Sequence, residues 1–155
     1  MRGLSEKSVI VTGGGNGIGA AVAVRFGEAG AHVAVWDIDT EAAENVAAGI
    51  RDAGGQAAAI RCDITDYDAV GAAVAETETQ LGQVDVLVNN AGWDVFRPFL
   101  KTEPELWEQI IAINLRGVLR EHIVGILVKR VAAVGLVLGV QPPRQPEGVD
   151  PSTLV

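Results

Sequence analysis

The stretch Val11-Thr12-Gly13-Gly14-Gly15-Asn16-Gly17-Ile18-Gly19-Ala20-Ala21-Val22-Ala23 decides the fold. Six of the eight residues from Gly13 to Ala20 are glycine or alanine, leaving little side-chain chemistry there. SVIVTG (Ser8 to Gly13) leads in as a buried strand, and the alanine-rich residues after the glycines read as a helix. A strand that passes through a glycine turn into a helix lies where an open parallel sheet presents its ligand crevice. Glycine allows a tight turn and lets a pyrophosphate approach the main chain, while the free amides at the helix start face its negative charge. No Gly-Lys-Ser/Thr comes next, so the loop is not a mononucleotide P-loop.

Outward from this turn the pattern repeats. HVAVWD (His32 to Asp37), AAAIRCD (Ala57 to Asp63) and VDVLVNN (Val84 to Asn90) read as three more strands, separated by stretches long enough for right-handed helical crossovers. Thr65 with Asp68, and Thr102 with Glu105, have capping-box spacing and are expected to open helices. Ala53 to Gly55 and Leu81 to Gln83 supply helix stops. Alternating strands and helices imply an α/β fold: a doubly wound, Rossmann-like parallel sheet. The expected strand order is 3-2-1-4, and VAAVGLVLGV (Val131 to Val140) could add a fifth strand beside the fourth. The expected domain is 1–140, with the proline-rich residues 141–155 as a disordered tail.

About twenty residues beyond the glycines, Asp37 ends the second strand, where a carboxylate can accept hydrogen bonds from an adenosine ribose. The same charge repels a 2′-phosphate. No Arg or Lys in the glycine loop or in WDIDTEAAEN offsets that repulsion, so NAD is the expected cofactor, not NADP. The alternative for Asp37 is a solvated strand-end carboxylate.

Composition narrows the classes. The 155 residues suit one domain. A net charge of −8 argues against a nucleic-acid partner. Residues 1–115 hold 7 basic and 17 acidic groups, whereas 116–155 hold 5 and 3, so the character changes late in the chain. One cysteine, Cys62, and two distant histidines, His32 and His122, give no metal-ligand spacing. Cys62 reads as a small buried hydrophobe. The amino terminus has Glu6 and Lys7 where a secretory signal needs an apolar run, and the longest apolar stretch has ten residues, too few to span a membrane. A cytoplasmic address is expected.

Thr12-Gly13-x-x-x-Gly17-x-Gly19, then Asp63 in CDITD and Asn89-Asn90-Ala91-Gly92, resembles the short-chain dehydrogenase/reductase family over Ser8 to Gly117. S-adenosylmethionine methyltransferases share the sheet and an acidic second-strand end but lack this glycine spacing and NNAG. The resemblance implies that Gly13, Gly17 and Gly19 form the phosphate turn, lined by Asn16 and Ile18. It implies that Asp63 and Ile64 meet the adenine, and that Asn90 meets the cofactor ribose and the neighbouring strand. Asn114 in IAINLRG matches the family's helix asparagine, which helps hold a water in a proton relay. Trp107, Ile111, Asn114 and Val118 fall on one helical stripe, so a structural hydrogen bond for this amide on an apolar face is equally open. GWDVFRPFLKTEPELWEQIIAINL (Gly92 to Leu115) is more narrowly similar to members that oxidise hydroxyacyl-CoA thioesters, of the 2-hydroxycyclohexanecarboxyl-CoA dehydrogenase type. The implied reaction is hydride transfer between NAD and a secondary alcohol or ketone, and the family's corresponding helix commonly helps form a homo-oligomer.

The resemblance also implies a serine and a Tyr-x-x-x-Lys pair. The sequence has one tyrosine, Tyr67, with Gly71 four residues later, and its serines are Ser5, Ser8 and Ser152. Downstream of residue 120, His122 and Lys129 are the remaining titratable candidates near the crevice, each more simply solvated or capping. The expectation is a truncated or frame-altered member that keeps the dinucleotide half. The alternative is a non-catalytic NAD-binding or interaction module.

Overall fold

The computed structural model of the protein describes residues 3–120. Its elements run β1 (Ser8–Thr12), α1 (Gly17–Glu28), β2 (His32–Asp37), α2 (Thr40–Asp52), β3 (Gln56–Arg61), α3 (Tyr67–Leu81), β4 (Val84–Val88), a 3₁₀ turn (Phe99–Lys101) and α4 (Pro104–Ile111). The helix that begins as α4 continues through a π-wound turn at Ala112–Gly117. The four strands are all parallel and lie in the order β3-β2-β1-β4, as expected. The segments expected as a fifth strand (131–140) and as a tail (141–155), together with His122 and Lys129, lie outside the described residues.

Side chains of alternating direction give the sheet two apolar faces. On one, Val9, Val11, Val33 and Val35 pack with Ala23, Ala43, Ala47 and Ile50 of α1 and α2. On the other, Ile10, Ala34, Trp36, Ile60 and Leu87 pack with Val70, Ala73 and Val74 of α3. Because both faces are covered, β1 is buried along its whole length, which is why SVIVT reads as a continuous apolar run. Small residues bring the helices close: a Cβ on Gly27 would lie 2.7 Å from the Ile50 Cγ2. At the amino end of the sheet Lys7 Nζ meets Asp85 Oδ1 at 2.7 Å, and the Ser8 amide donates to Asp85 Oδ2. Burial pushes the Asp85 carboxyl up, but these two donors and the lysine charge outweigh it and hold the group below the usual range.

The helix stops lie where the sequence puts them, with Gly54 and Gly82 both at φ +86°. The two capping boxes do not form. The N-cap of α3 is Asp66, whose Oδ1 accepts from the Asp68 and Ala69 amides, because the Thr65 hydroxyl is engaged by Asp63. The N-cap of α4 is Glu103, because Pro104, with its fixed φ and missing N–H, takes the first helical position. Thr102 instead donates to the Phe99 carbonyl and accepts from the Trp107 indole.

Trp36 is 1% exposed, and its Nε1–H donates to Thr77 Oγ1 at 3.0 Å, while that hydroxyl donates to the Ala73 carbonyl. A Thr77→Val substitution keeps the volume and strands the indole N–H. It is expected to lower the stability of the full chain by roughly 1–3 kcal/mol. Urea unfolding monitored by tryptophan fluorescence measures the loss.

Candidate functional site

The glycine loop sits at the carboxyl end of β1 and divides into two kinds of position. Gly14, Gly15 and Gly19 are buried, whereas Asn16, Gly17 and Ile18 are exposed. A Cβ on Gly19 would collide with the Gly13 carbonyl and come 2.5 Å from Asn90 Nδ2. One on Gly13, at φ +60°, would come 2.9 Å from the Ala91 Cα. A Cβ on Gly17, at φ +54°, would meet nothing within 4 Å. Gly13 and Gly19 are therefore glycines for close packing, whereas Gly17 has open space beside it and needs glycine for its positive φ.

Helix α1 starts in this loop without the usual satisfaction of its first amides. Asn16 is the N-cap, but its side chain makes no capping bond, and the first turn has no acidic residue. An uncapped helix start bordered by glycine offers main-chain donors and a positive dipole end to an anion.

Asn90, just beyond β4, fastens the loop. Its Nδ2 donates to the Thr12 and Gly13 carbonyls at 2.9 and 3.1 Å. The Thr12 hydroxyl accepts from the Asn90 and Ala91 amides, both at 3.1 Å. The sequence alone gives Thr12 a place in the motif but no role. In the structure it joins the ends of β1 and β4.

Two carboxylates face the same region. Asp37 Oδ2 accepts from the Gly15 amide at 2.9 Å, and Oδ1 accepts from the Asp39 amide at 3.0 Å. Each oxygen keeps further acceptor capacity. Asp63 Oδ1 accepts from the Thr65 hydroxyl (2.7 Å) and the Thr65 amide (2.8 Å). These two bonds, foremost the hydroxyl, hold the Asp63 carboxyl below its ordinary range; burial opposes them, and the Arg61 and Arg120 charges assist.

Gly13, Asn16, Gly17, Ile18, Gly19, Asp37, Asp63, Ile64 and Asn90 all line one cleft of about 780 Å³, so the nine positions singled out as binding candidates come together. Ile64 is mostly withdrawn into the core, at 6% exposure. Cys62 is buried, as its reading as a small hydrophobe requires, and also borders the cleft. Sequence reasoning misses Ile38, Thr65, Gln109 and Ile113 in the lining. Thr65 has a visible signal, two residues after Asp63 in an Asp-x-Thr turn, which its capping-box spacing obscures.

Asn114 does not line the cleft. Its Oδ1 accepts from the Trp93 amide at 2.9 Å and its Nδ2 donates to the Trp93 carbonyl at 2.7 Å, a two-point clamp on the chain after NNAG. The apolar stripe expected around it is not a buried face: Trp107 and Ile111, in α4 ahead of the π-wound turn, are 41% and 36% exposed, and within that turn Ile113 packs on the core and Gly117 is buried. Tyr67 opens α3 and is half exposed. Among the described residues, no three His, Cys, Asp or Glu side chains gather as a metal ion would need, and no helix is long and apolar enough to cross a membrane.

The loop, cap and strand ends match a known pattern over most of the chain. The sequence profile described as "short chain dehydrogenase" matches residues 7–125. The chain belongs to the short-chain dehydrogenase/reductase family. Among curated short-chain dehydrogenases, 3beta-hydroxysteroid dehydrogenase 1 of Eggerthella lenta is 40% identical over 116 residues, covering 74% of this chain and 44% of the relative. The 7alpha-hydroxysteroid dehydrogenase of Escherichia coli K12 is 47% identical over 96 residues, covering 62% and 38%. A solved 7 alpha-hydroxysteroid dehydrogenase complexed with NADH and 7-oxo glycochenodeoxycholic acid superposes with a TM-score of 0.74 at 38% identity, over 78% of this chain and 47% of that one. A short-chain dehydrogenase/reductase from Mycobacterium marinum gives 0.77 at 35% identity, over 81% and 51%. The chain thus spans about half the length of the relatives it matches.

The depressed Asp63 carboxyl has a pH consequence. A carboxyl lowered in the folded state stabilises the fold above the unfolded value of about 4 and loses that contribution as pH falls through the folded value. In Thr65→Val the hydroxyl bond disappears and the amide bond stays, so the Asp63 titration midpoint is expected to move up toward the ordinary value. A carbon-13 NMR titration of the aspartate carboxyls reads the shift.

Proposed function

We propose that this short-chain dehydrogenase/reductase chain is the NAD(H)-binding part of an oxidoreductase that transfers hydride between NAD and a secondary alcohol or ketone. The observation behind this reading is that an uncapped helix start, Asp37 and Asp63 border a single cleft. In it the amides of Gly17, Ile18 and Gly19 hold the pyrophosphate, with Gly13 and Asn16 shaping the turn. Asp37 accepts from the adenosine ribose hydroxyls, and the Asp63 carboxylate with the Ile64 main chain meets the adenine. Asn90 keeps the loop against β4. Bound nicotinamide supplies the acceptor or donor of hydride. Asn114 acts as a positioning residue through its clamp on Trp93. The binding fold is a single domain.

The preference for NAD rests on Asp37. A ribose hydroxyl is a donor that the carboxylate accepts, whereas a 2′-phosphate places a second anion against it. The NADH in the solved 7 alpha-hydroxysteroid dehydrogenase supports the same cofactor here. The substrate class is an alicyclic or acyl secondary alcohol. The hydroxysteroid relatives support the alicyclic form, and the Gly92 to Leu115 segment resembles hydroxyacyl-CoA members.

Hydride transfer also needs a group that takes the hydroxyl proton. Tyr67 heads α3 behind the adenine-side strand and has Gly71 where a lysine would stand, so it does not fill that role. Dinucleotide binding is then the function that the described residues support, with no tyrosine besides Tyr67 among the 155 residues to serve as the acid/base. This favours a binding module as the activity of the chain by itself.

Titrating the full chain with NADH, monitored by nucleotide fluorescence, is expected to show saturable binding that Asp37→Ala weakens about tenfold, the worth of one charge-assisted hydrogen bond. A panel of secondary alcohols with NAD is expected to give no turnover. Absence of saturable binding would refute the cofactor reading, and turnover matching a full-length relative would refute the binding-module reading.

A further inference from the structure

Gly15 is absent from the family's three-glycine signature and from the candidate positions, yet it makes the closest contact with the proposed selectivity carboxylate. Its amide donates to Asp37 Oδ2 at 2.9 Å. A Cβ at residue 15 would lie 2.8 Å from that same oxygen, 2.9 Å from the Ala42 Cβ and 3.0 Å from the Ala43 amide nitrogen. Its φ lies outside the left-handed region, since the positive-φ glycines of the loop are Gly13 and Gly17, so an L-residue fits the backbone there. Position 15 thus excludes a side chain for want of space, and the first atom that side chain would strike belongs to Asp37.

We infer that Gly15 is a specificity-determining residue: by bringing a bare main-chain amide onto Asp37, it fixes the carboxylate where it accepts an adenosine ribose hydroxyl and repels a 2′-phosphate. This rests on the reading of the cleft as an NAD site. The fixation has two anchors, Gly15 on Oδ2 and Asp39 on Oδ1, and Asp39 is itself held as the N-cap of α2, accepting from the Ala42 amide at 3.0 Å. The carboxylate is therefore placed by the loop on one side and by the start of α2 on the other. A methyl group at residue 15 must displace the carboxylate, the helix start or both. Arg61 stands opposite Asp37 in the β2–β3 register, so the strand ends beside the carboxylate also carry a positive charge.

The test compares dissociation constants for NADH and NADPH on the full chain by calorimetry, which needs no turnover. Gly15→Ala is expected to shrink the preference for NADH over NADPH about tenfold. In an Asp37→Ala background, with no carboxylate to displace, Gly15→Ala is expected to leave the preference unchanged. Should Gly15→Ala prevent folding, judged by circular dichroism, Gly15→Ala with Ala42→Gly removes the tighter of the two α2 contacts, that with the Ala42 methyl, and keeps the contact with Asp37. Equal weakening of both dinucleotides would overturn the inference, as would a change in preference that persists without the carboxylate. Failure of the unaltered chain to bind NADH would overturn the reading of the cleft instead, and the inference with it.

Discussion

The carboxyl end of the sheet depends on a contact that no side chain permits. The Cα of Gly19 lies so close to the Gly13 carbonyl and the Asn90 amide that a methyl group there has nowhere to go. That closeness allows Asn90 Nδ2 to reach two carbonyls of the β1 end at once, and the Thr12 hydroxyl to take the next two amides after β4. A part-buried polar hub of this kind is costly if one partner is lost, because the survivors are left short of a hydrogen bond. The loop, the first helix and the fourth strand thus share one set of hydrogen bonds. The position of α1, and with it the direction of its free amides, depends on glycine at residue 19.

Around that hub the charges are arranged by the main chain. Asp37 and Asp63 each accept two hydrogen bonds, Asp37 from the Gly15 amide of the glycine loop and the Asp39 amide of its own loop, Asp63 from Thr65, and the hydrogen bonds on Asp63 favour its ionised form. A carboxylate so held is a fixed acceptor. It can receive ribose or base donors without first being organised, which lowers the cost of ordering the site on binding. The uncapped start of α1 is the complementary feature, a set of donors with no anionic side chain of its own. One cleft therefore offers donors where phosphates bring charge and acceptors where the nucleoside brings hydroxyl and amino groups.

Much of this is legible in the residues because it obeys period and spacing. β2 runs over the residues expected, and β1 ends one residue early. The strand order is the outcome of helical crossovers between parallel strands. Aspartates at strand ends are visible because a carboxylate interrupts an apolar run. The features that cannot be read depend on partners distant in sequence or on competition between neighbours. Thr65 serves Asp63 instead of capping α3 because a better acceptor, Asp66, stands next to it. Thr12 has a role only once residue 90 lies beside it, and Gly15 is indistinguishable from Gly14 until the Asp37 carboxylate arrives 22 residues later. The stripe containing Asn114 fails for two other reasons: its first half, Trp107 and Ile111, lies on an exposed side of α4, and beyond it counting by 3.6 assumes an α-helix where nothing local in AINLRG announces a π-wound turn.

That turn has a structural effect beyond its register. A π-wound segment inserts an extra residue into the helix and rotates the residues beyond it. Here it brings Gly117 against Ile64, where a Cβ would lie 2.6 Å from Cδ1, and lets Arg120 donate to the Thr65 carbonyl at 2.5 Å. One turn earlier, Asn114 grips Trp93 from both sides. The same helical segment is thereby pinned to the strand end that bears Asp63 and to the chain that leaves Asn90. An unbroken α-helix would place residues 114 and 117 at angles some 300° apart and leave the later contact on a different bearing. The extra residue lets one element hold both walls, so the spacing between the adenine side of the cleft and the segment beyond NNAG is set by a helix packed against each.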